Sequence, residues 1–184
     1  EDVGIGEDAG IAEDAGPEPT CPDLMPTQGA DNVIISQYNL MTGEVEFYNP
    51  TDEALPIDGL ELCSRPAYET IDSDIMVQPG SFATYVARAT FQGANPSRGE
   101  LALYDSASYE SRNSMIDFVC WGETLAPSRS RKHVAEMLAG EEVLWEGGCS
   151  PSPVANVVAR GVGNAGTGAD DYTSDQGFAP HACE

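Results

Sequence analysis

The sequence predicts an all-β sandwich or barrel, and three observations carry that expectation. Short apolar runs of period two recur between residues 32 and 160. They are rich in β-branched and aromatic residues, and Gly, Pro, Asn and Asp separate them. Only one stretch shows a helical period. At 184 residues and 41% hydrophobic content, the chain has material for one core in one domain.

Residues 1–29 stand apart from this pattern. A repeat of period six ("EDVGIG", "EDAGIA", "EDAGPE") fills residues 1–18, and seven of the first 20 residues are acidic with none basic or aromatic. Such a segment buries too little apolar surface to offset its ordering entropy, and like charges extend it. It is expected to be a disordered acidic tether, continued by the Pro-rich linker "PEPTCPDLMPTQG" (17–29). The folded domain is expected over 30–184.

Within that domain "NVIISQYNL" (32–40) and "GEVEFYNP" (43–50) read as a hairpin closed at "MTG" (41–43). Val45 and Phe47 share one face, and Glu44, Glu46 and Tyr48 share the other. The strands are therefore expected to join through apolar side chains and backbone, with the carboxylates in water. "LELCSR" (60–65), "SFATYVAR" (81–88), "GELALYD" (99–105) and "SMIDFVCWG" (114–122) are the next strands. "VQPGS" (77–81) is a turn with Pro79 and Gly80 at its centre. One short helix is expected in "PSRSRKHVAEMLAG" (127–140), with Ser128 or Ser130 as N-cap and Gly140 as the stop. "EEVLWEGGC", with Trp145 buried, and "VANVVAR" (154–160) complete the domain. The expected core is Val33, Ile35, Val45, Phe47, Leu60, Leu62, Leu101, Leu103, Ile116, Phe118 and Trp145.

The charge balance excludes whole classes of partner. Thirty-one acidic residues against eight basic ones leave a net charge of −23, which repels nucleic-acid phosphates and anionic lipid headgroups. No run of 18 apolar residues exists to span a membrane. Arg129, Arg131 and Lys132 place three of the eight cations within four residues, as either local neutralisation or a docking point for an acidic neighbour.

The five cysteines (Cys21, Cys63, Cys120, Cys149 and Cys183) form no C-x-x-C pair, so they read as disulfides of an oxidising compartment. Cys120 and Cys149 flank the predicted helix, which brings them together if the helix packs back on the sheet. Cys21 and Cys183 bracket the domain, and a bridge between them would staple its ends. Cys63 is then the thiol left over.

Catalytic signals are weak. "GVGNAG" (161–166) matches a dinucleotide glycine pattern, but an acidic, glycine-rich stretch follows where a helix is required. Asp170, Asp171 and Asp175 are weak calcium candidates, and Asp72 and Asp74 form a smaller set; neither has an EF-hand register. His133 and His181 lack an orienting acid at catalytic spacing. With no G-x-S-x-G, H-E-x-x-H or P-loop, no enzymatic activity and no obligatory cofactor are expected.

The order of the strands resembles the lamin-tail domain family. "VEFYNPTDEALPIDGLELC" looks like its strand, Asn-x-x-Asp, Gly and second strand. "MVQPGSFATYVA" is similar to its next turn. "GELALYDSASYESRNSMIDFVCWG" resembles the pair that carries Leu-Tyr and ends in an aspartate, an aromatic and Trp-Gly. "SRSRKHVAEMLAGEEVLWEGG" resembles the helix and Trp of secreted bacterial members. The resemblance implies an immunoglobulin-like β-sandwich that serves as an interaction module. The chain lacks the heptad rod and basic targeting cluster of nuclear members, which favours the bacterial branch. The expectation is an exported, non-catalytic binding or structural module at the cell surface, lipid-anchored upstream of Glu1, with a protein or polymer of the envelope as partner. The alternatives are an accessory subunit of a secreted hydrolase and a calcium-dependent adhesin.

Overall fold

A computed structural model describes residues 31–109, 111–122, 149–160 and 172–173. Its strands run in chain order: β1 (Ile34–Asn39), β2 (Glu44–Tyr48), β3 (Leu55–Pro56), β4 (Glu61–Ser64), β5 (Ala67–Thr70) and β6 (Met76–Val77). β7 (Phe82–Val86), β8 (Arg98–Tyr104), β9 (Met115–Gly122), β10 (Val157–Arg160) and β11 (Tyr172–Thr173) follow. One sheet has the order β11-β10-β1-β2-β7, and a second has β5-β4-β8-β9. β3 and β6 form a small ribbon. Among the described residues every ladder is antiparallel. The chain is an all-β sandwich, as its periodicity predicts.

The predicted tether, the helix at 127–140, Trp145, and the patch of Arg129, Arg131 and Lys132 lie outside the described residues. So do both histidines, the glycine loop at 161–166, the calcium candidates Asp170, Asp171 and Asp175, and the Cys21–Cys183 pair.

The core forms where the two sheets meet. β1 and β2 contribute Ile35, Tyr38, Val45 and Phe47, and β4, β8 and β9 contribute Leu62, Leu101, Leu103, Val119 and Trp121. The spacing in β1 explains a feature of its sequence. Ile35 pairs with Phe47 and Tyr38 with Val45, so three residues rather than two separate the inward positions. A bulge between Ile35 and Gln37 absorbs the extra residue. It keeps Val33, Ile35, Tyr38 and Leu40 in one core.

Two expectations, for Glu46 and Ile116, require correction. Glu46 is fully buried rather than wet: it accepts from Ser36 Oγ at 2.7 Å and from Gln37 Nε2 at 3.1 Å, the two residues that the bulge brings beside it. Hydrogen bonds from neighbouring side chains offset its desolvation, a balance that alternation cannot reveal. Phe118 is a core residue as expected, although it pairs with Ala102 and lies on the sheet face opposite Leu101 and Val119. Both faces of the second sheet are therefore covered, Cys63, Ala102 and Tyr104 being buried on the outer one. Ile116 is only partly buried against the core.

The acidic bend after β2 is shaped by an asparagine rather than by charge. The buried Asn49 donates through Nδ2 to the carbonyls of Glu53 (2.7 Å) and Val77 (2.8 Å), and its Oδ1 accepts from the Thr51 N–H. Its backbone bonds to Ser81 and Gly80 tie the bend to the Pro79-Gly80 turn, which forms as predicted. Asp52 and Glu53 stay in solvent.

Cys120 and Cys149 form a disulfide with Cα atoms 4.9 Å apart. Ser150 sits beside β9, its N–H bonded to Cys120 O and its carbonyl accepting from Gly122 N–H. Cys63 is a buried thiol. Closing 29 residues, the bridge contributes about 3–4 kcal/mol in the chain-entropy picture. Changing both cysteines to serine is expected to lower stability by that amount without altering the fold, measured as a fall in the urea midpoint with a steeper slope, since the unbridged denatured chain exposes more surface.

Candidate functional site

Three buried polar clusters link the elements of the sandwich. Asp117 on β9 accepts from the Ile35 N–H of β1 at 2.7 Å, and Arg160 at the end of β10 reaches the same carboxylate at 3.1 Å. Both side chains are almost fully excluded from solvent. Burial pushes the Asp117 pKa up, while Arg160 and the Ile35 and Phe118 N–H groups hold it down; desolvation is the largest of these influences. At the opposite edge Glu69 of β5 accepts from the Tyr85 hydroxyl of β7 at 2.7 Å and from the Arg88 N–H at 2.7 Å. On the outer face of the second sheet Glu61 accepts from Thr70 Oγ1 and the Tyr109 hydroxyl. Tyr109 in turn packs edge-on against Tyr68 and Tyr104. Fixed structural donors engage each of these carboxylates, so they act as fasteners between strands.

These contacts give a measurable pH response. Burial, then the hydrogen bond to Glu69, pushes the Tyr85 pKa up to about 12. Burial raises Tyr38 and Tyr109 as well, the latter also through its bond to Glu61. The folded state thus holds protons that the unfolded chain releases near pH 10. The resulting stabilisation is complete below that pH and disappears as pH climbs through the raised folded values. Phenolate absorbance is expected to rise in two phases, the second coinciding with loss of the circular dichroism signal. A single phase near pH 10 with the fold intact would contradict this assignment.

Among the described residues, a feature suited to a ligand lies at one end of the sandwich. The β4–β5 turn (Arg65-Pro66), the connection from β7 to β8, and the start of β8 enclose a groove of about 260 Å³. Its floor is anchored from the core. Tyr38 donates to Phe91 O at 2.6 Å, and the indole Nε1 of Trp121 donates to Asn95 O at 3.0 Å. Tyr38 and Trp121 have ring centroids 5.8 Å apart. Backbone bonds from Gly93 to Met41 and from Ala94 to Leu40 tie the same connection to the first hairpin.

Two glycines allow this close packing. A Cβ on Gly99 would stand 2.1 Å from the Trp121 ring. Gly122 has φ +70°, and a Cβ there would meet Ser97 O at 1.8 Å.

Arg65 and Arg98 are exposed and line the groove, and Glu100 is buried at its wall. The ion pairs among described residues are Arg88–Glu69 and Arg160–Asp117, so Arg65 and Arg98 have no carboxylate partner there. The sequence points to 129–132 as its positive patch, whereas the fold brings together two arginines 33 positions apart. No run or spacing marks them; the only available signal is that each lies within two residues of a proline at a strand end. Asp72 and Asp74, the second acidic set, are exposed in the loop after β5. The described residues contain no group of three or more metal-ligating side chains, and no helix long and apolar enough to cross a membrane.

Comparison with family models, curated proteins and solved structures finds no match for this chain.

Proposed function

We propose that this chain is a non-catalytic binding module of the cell exterior, carried on its acidic N-terminal segment and engaging a protein or polymer of the envelope. The Cys120–Cys149 disulfide carries this reading. A cross-link in a domain that already has an extensive two-sheet core is a device of oxidising compartments, since cytosolic reductants keep such pairs open. The lamin-tail resemblance agrees with it, implying an immunoglobulin-like sandwich used for interaction. The core-anchored groove supplies a concave surface that mixes apolar lining with a few charged and amide side chains, as binding sites do.

The test is to alkylate free thiols in intact source cells before lysis, then to fractionate the cells and map the peptides. The protein is expected in the envelope or medium with Cys120 joined to Cys149. A cytoplasmic protein alkylated at both positions would overturn the proposal.

A further inference from the structure

We propose that the groove at the β4–β5 turn binds a single acidic sugar residue, a uronate, with its carboxylate held by Arg65 and Arg98. This deepens the binding-module reading and rests on it. The ligand class follows from the donors, the volume and the field of the whole molecule.

The donors come first. Two guanidinium groups without a carboxylate partner among the described residues line one cavity. Arginine presents a planar fork that matches the two oxygens of a carboxylate. A neutral ring would displace water from both forks and leave nothing in its place.

Glu100 narrows the choice further. It lines the same cavity from a buried position, and its negative charge disfavours a dianion such as phosphate. The lining thus favours a single negative charge, and ligand hydroxyls meet its amide side chains. Gln92 and Asn95 add amide groups beside it. A volume of about 260 Å³ suits one ring rather than an extended ligand.

The net charge of −23 sets the context. A long polyanion would bring most of its charges within a Debye length, about 8 Å at physiological salt, of an acidic surface. A lone carboxylate at a chain end or side branch meets the arginines and little else. The connection that walls the groove is pinned to Tyr38, Trp121 and the first hairpin, so little ordering cost falls on binding.

The experiment titrates the full chain with sodium glucuronate, glucose and sodium sulfate by calorimetry or chemical-shift mapping. Saturable glucuronate binding is expected. Arg65→Ala and Arg98→Ala should each weaken it about tenfold, the scale of one charge-assisted hydrogen bond. Arg98→Lys should fall between, keeping the charge and losing the fork. Both arginines are exposed, so the melting temperatures of the variants should stay near that of the parent.

No saturable glucuronate binding at tens of millimolar, equal binding of sulfate, or unchanged affinity in both alanine variants would overturn the assignment. Failure here in a protein found outside the cell removes this site and leaves the module reading intact. Chemical conversion of bound glucuronate would instead overturn the non-catalytic reading while the site stood.

Discussion

Asp117→Ala is expected to lower folding stability by about 3–5 kcal/mol, the range for removing one partner of a buried ion pair. The carboxylate accepts from the Ile35 N–H and from Arg160, so its loss removes the acceptor of a β1 amide and the counter-charge of a buried guanidinium together. On a domain of ordinary stability this amounts to a large fraction of the total. Asp117→Asn should cost less, because its amide oxygen still accepts from the backbone. The double variant Asp117→Ala with Arg160→Met separates pair from packing. If the carboxylate acts through Arg160, the double variant recovers part of the loss, and a thermodynamic cycle reads the coupling. Strictly additive losses would refute the pairing. High salt should change little, since solvent ions do not reach the pair.

Trp121→Ala is expected to cost a similar 3–5 kcal/mol, the usual range for truncating a large buried aromatic. The indole is fully buried, touches Tyr38 and holds Asn95 through its N–H. Its removal opens a cavity between the sheets and releases the connection that walls the groove. Denaturant unfolding checks the energy, and amide exchange at Gly93–Asn95 checks the release. Gly99→Ala probes the same contact from the other side. Its Cβ overlaps the indole, so the substitution should destabilise the parent strongly and the Trp121→Ala background much less. Equal cost in both backgrounds would show that the two positions do not compete for space.

Much of the fold was legible because one face of each strand alternates against a core. Residues 34–39, 44–48, 61–64, 82–86, 98–104, 115–122 and 157–160 are strands within the stretches that period two marks. The Pro79-Gly80 turn follows from local backbone preference, and the Cys120–Cys149 bridge from the placement of its cysteines around one excursion of the chain. Patterning failed where two residues act as one position or where a sheet is buried on both sides. The bulge in β1 offsets the alternation and places Ser36 and Gln37 beside Glu46. Phe118 satisfies the same hydrophobic pattern whichever face it occupies.

The sequence by itself determined the longer strands, the single-core class and the acidic surface, since these depend on neighbours in the chain or on summed composition. Only the tertiary structure decided the pairs Asp117–Arg160 and Glu69–Tyr85, and the meeting of Arg65 with Arg98. The two pairs join residues 43 and 16 positions apart, and the two arginines that line one groove are 33 apart. Their energies depend on burial and on which strand edges abut, and a linear sequence carries neither quantity at the position of any one residue.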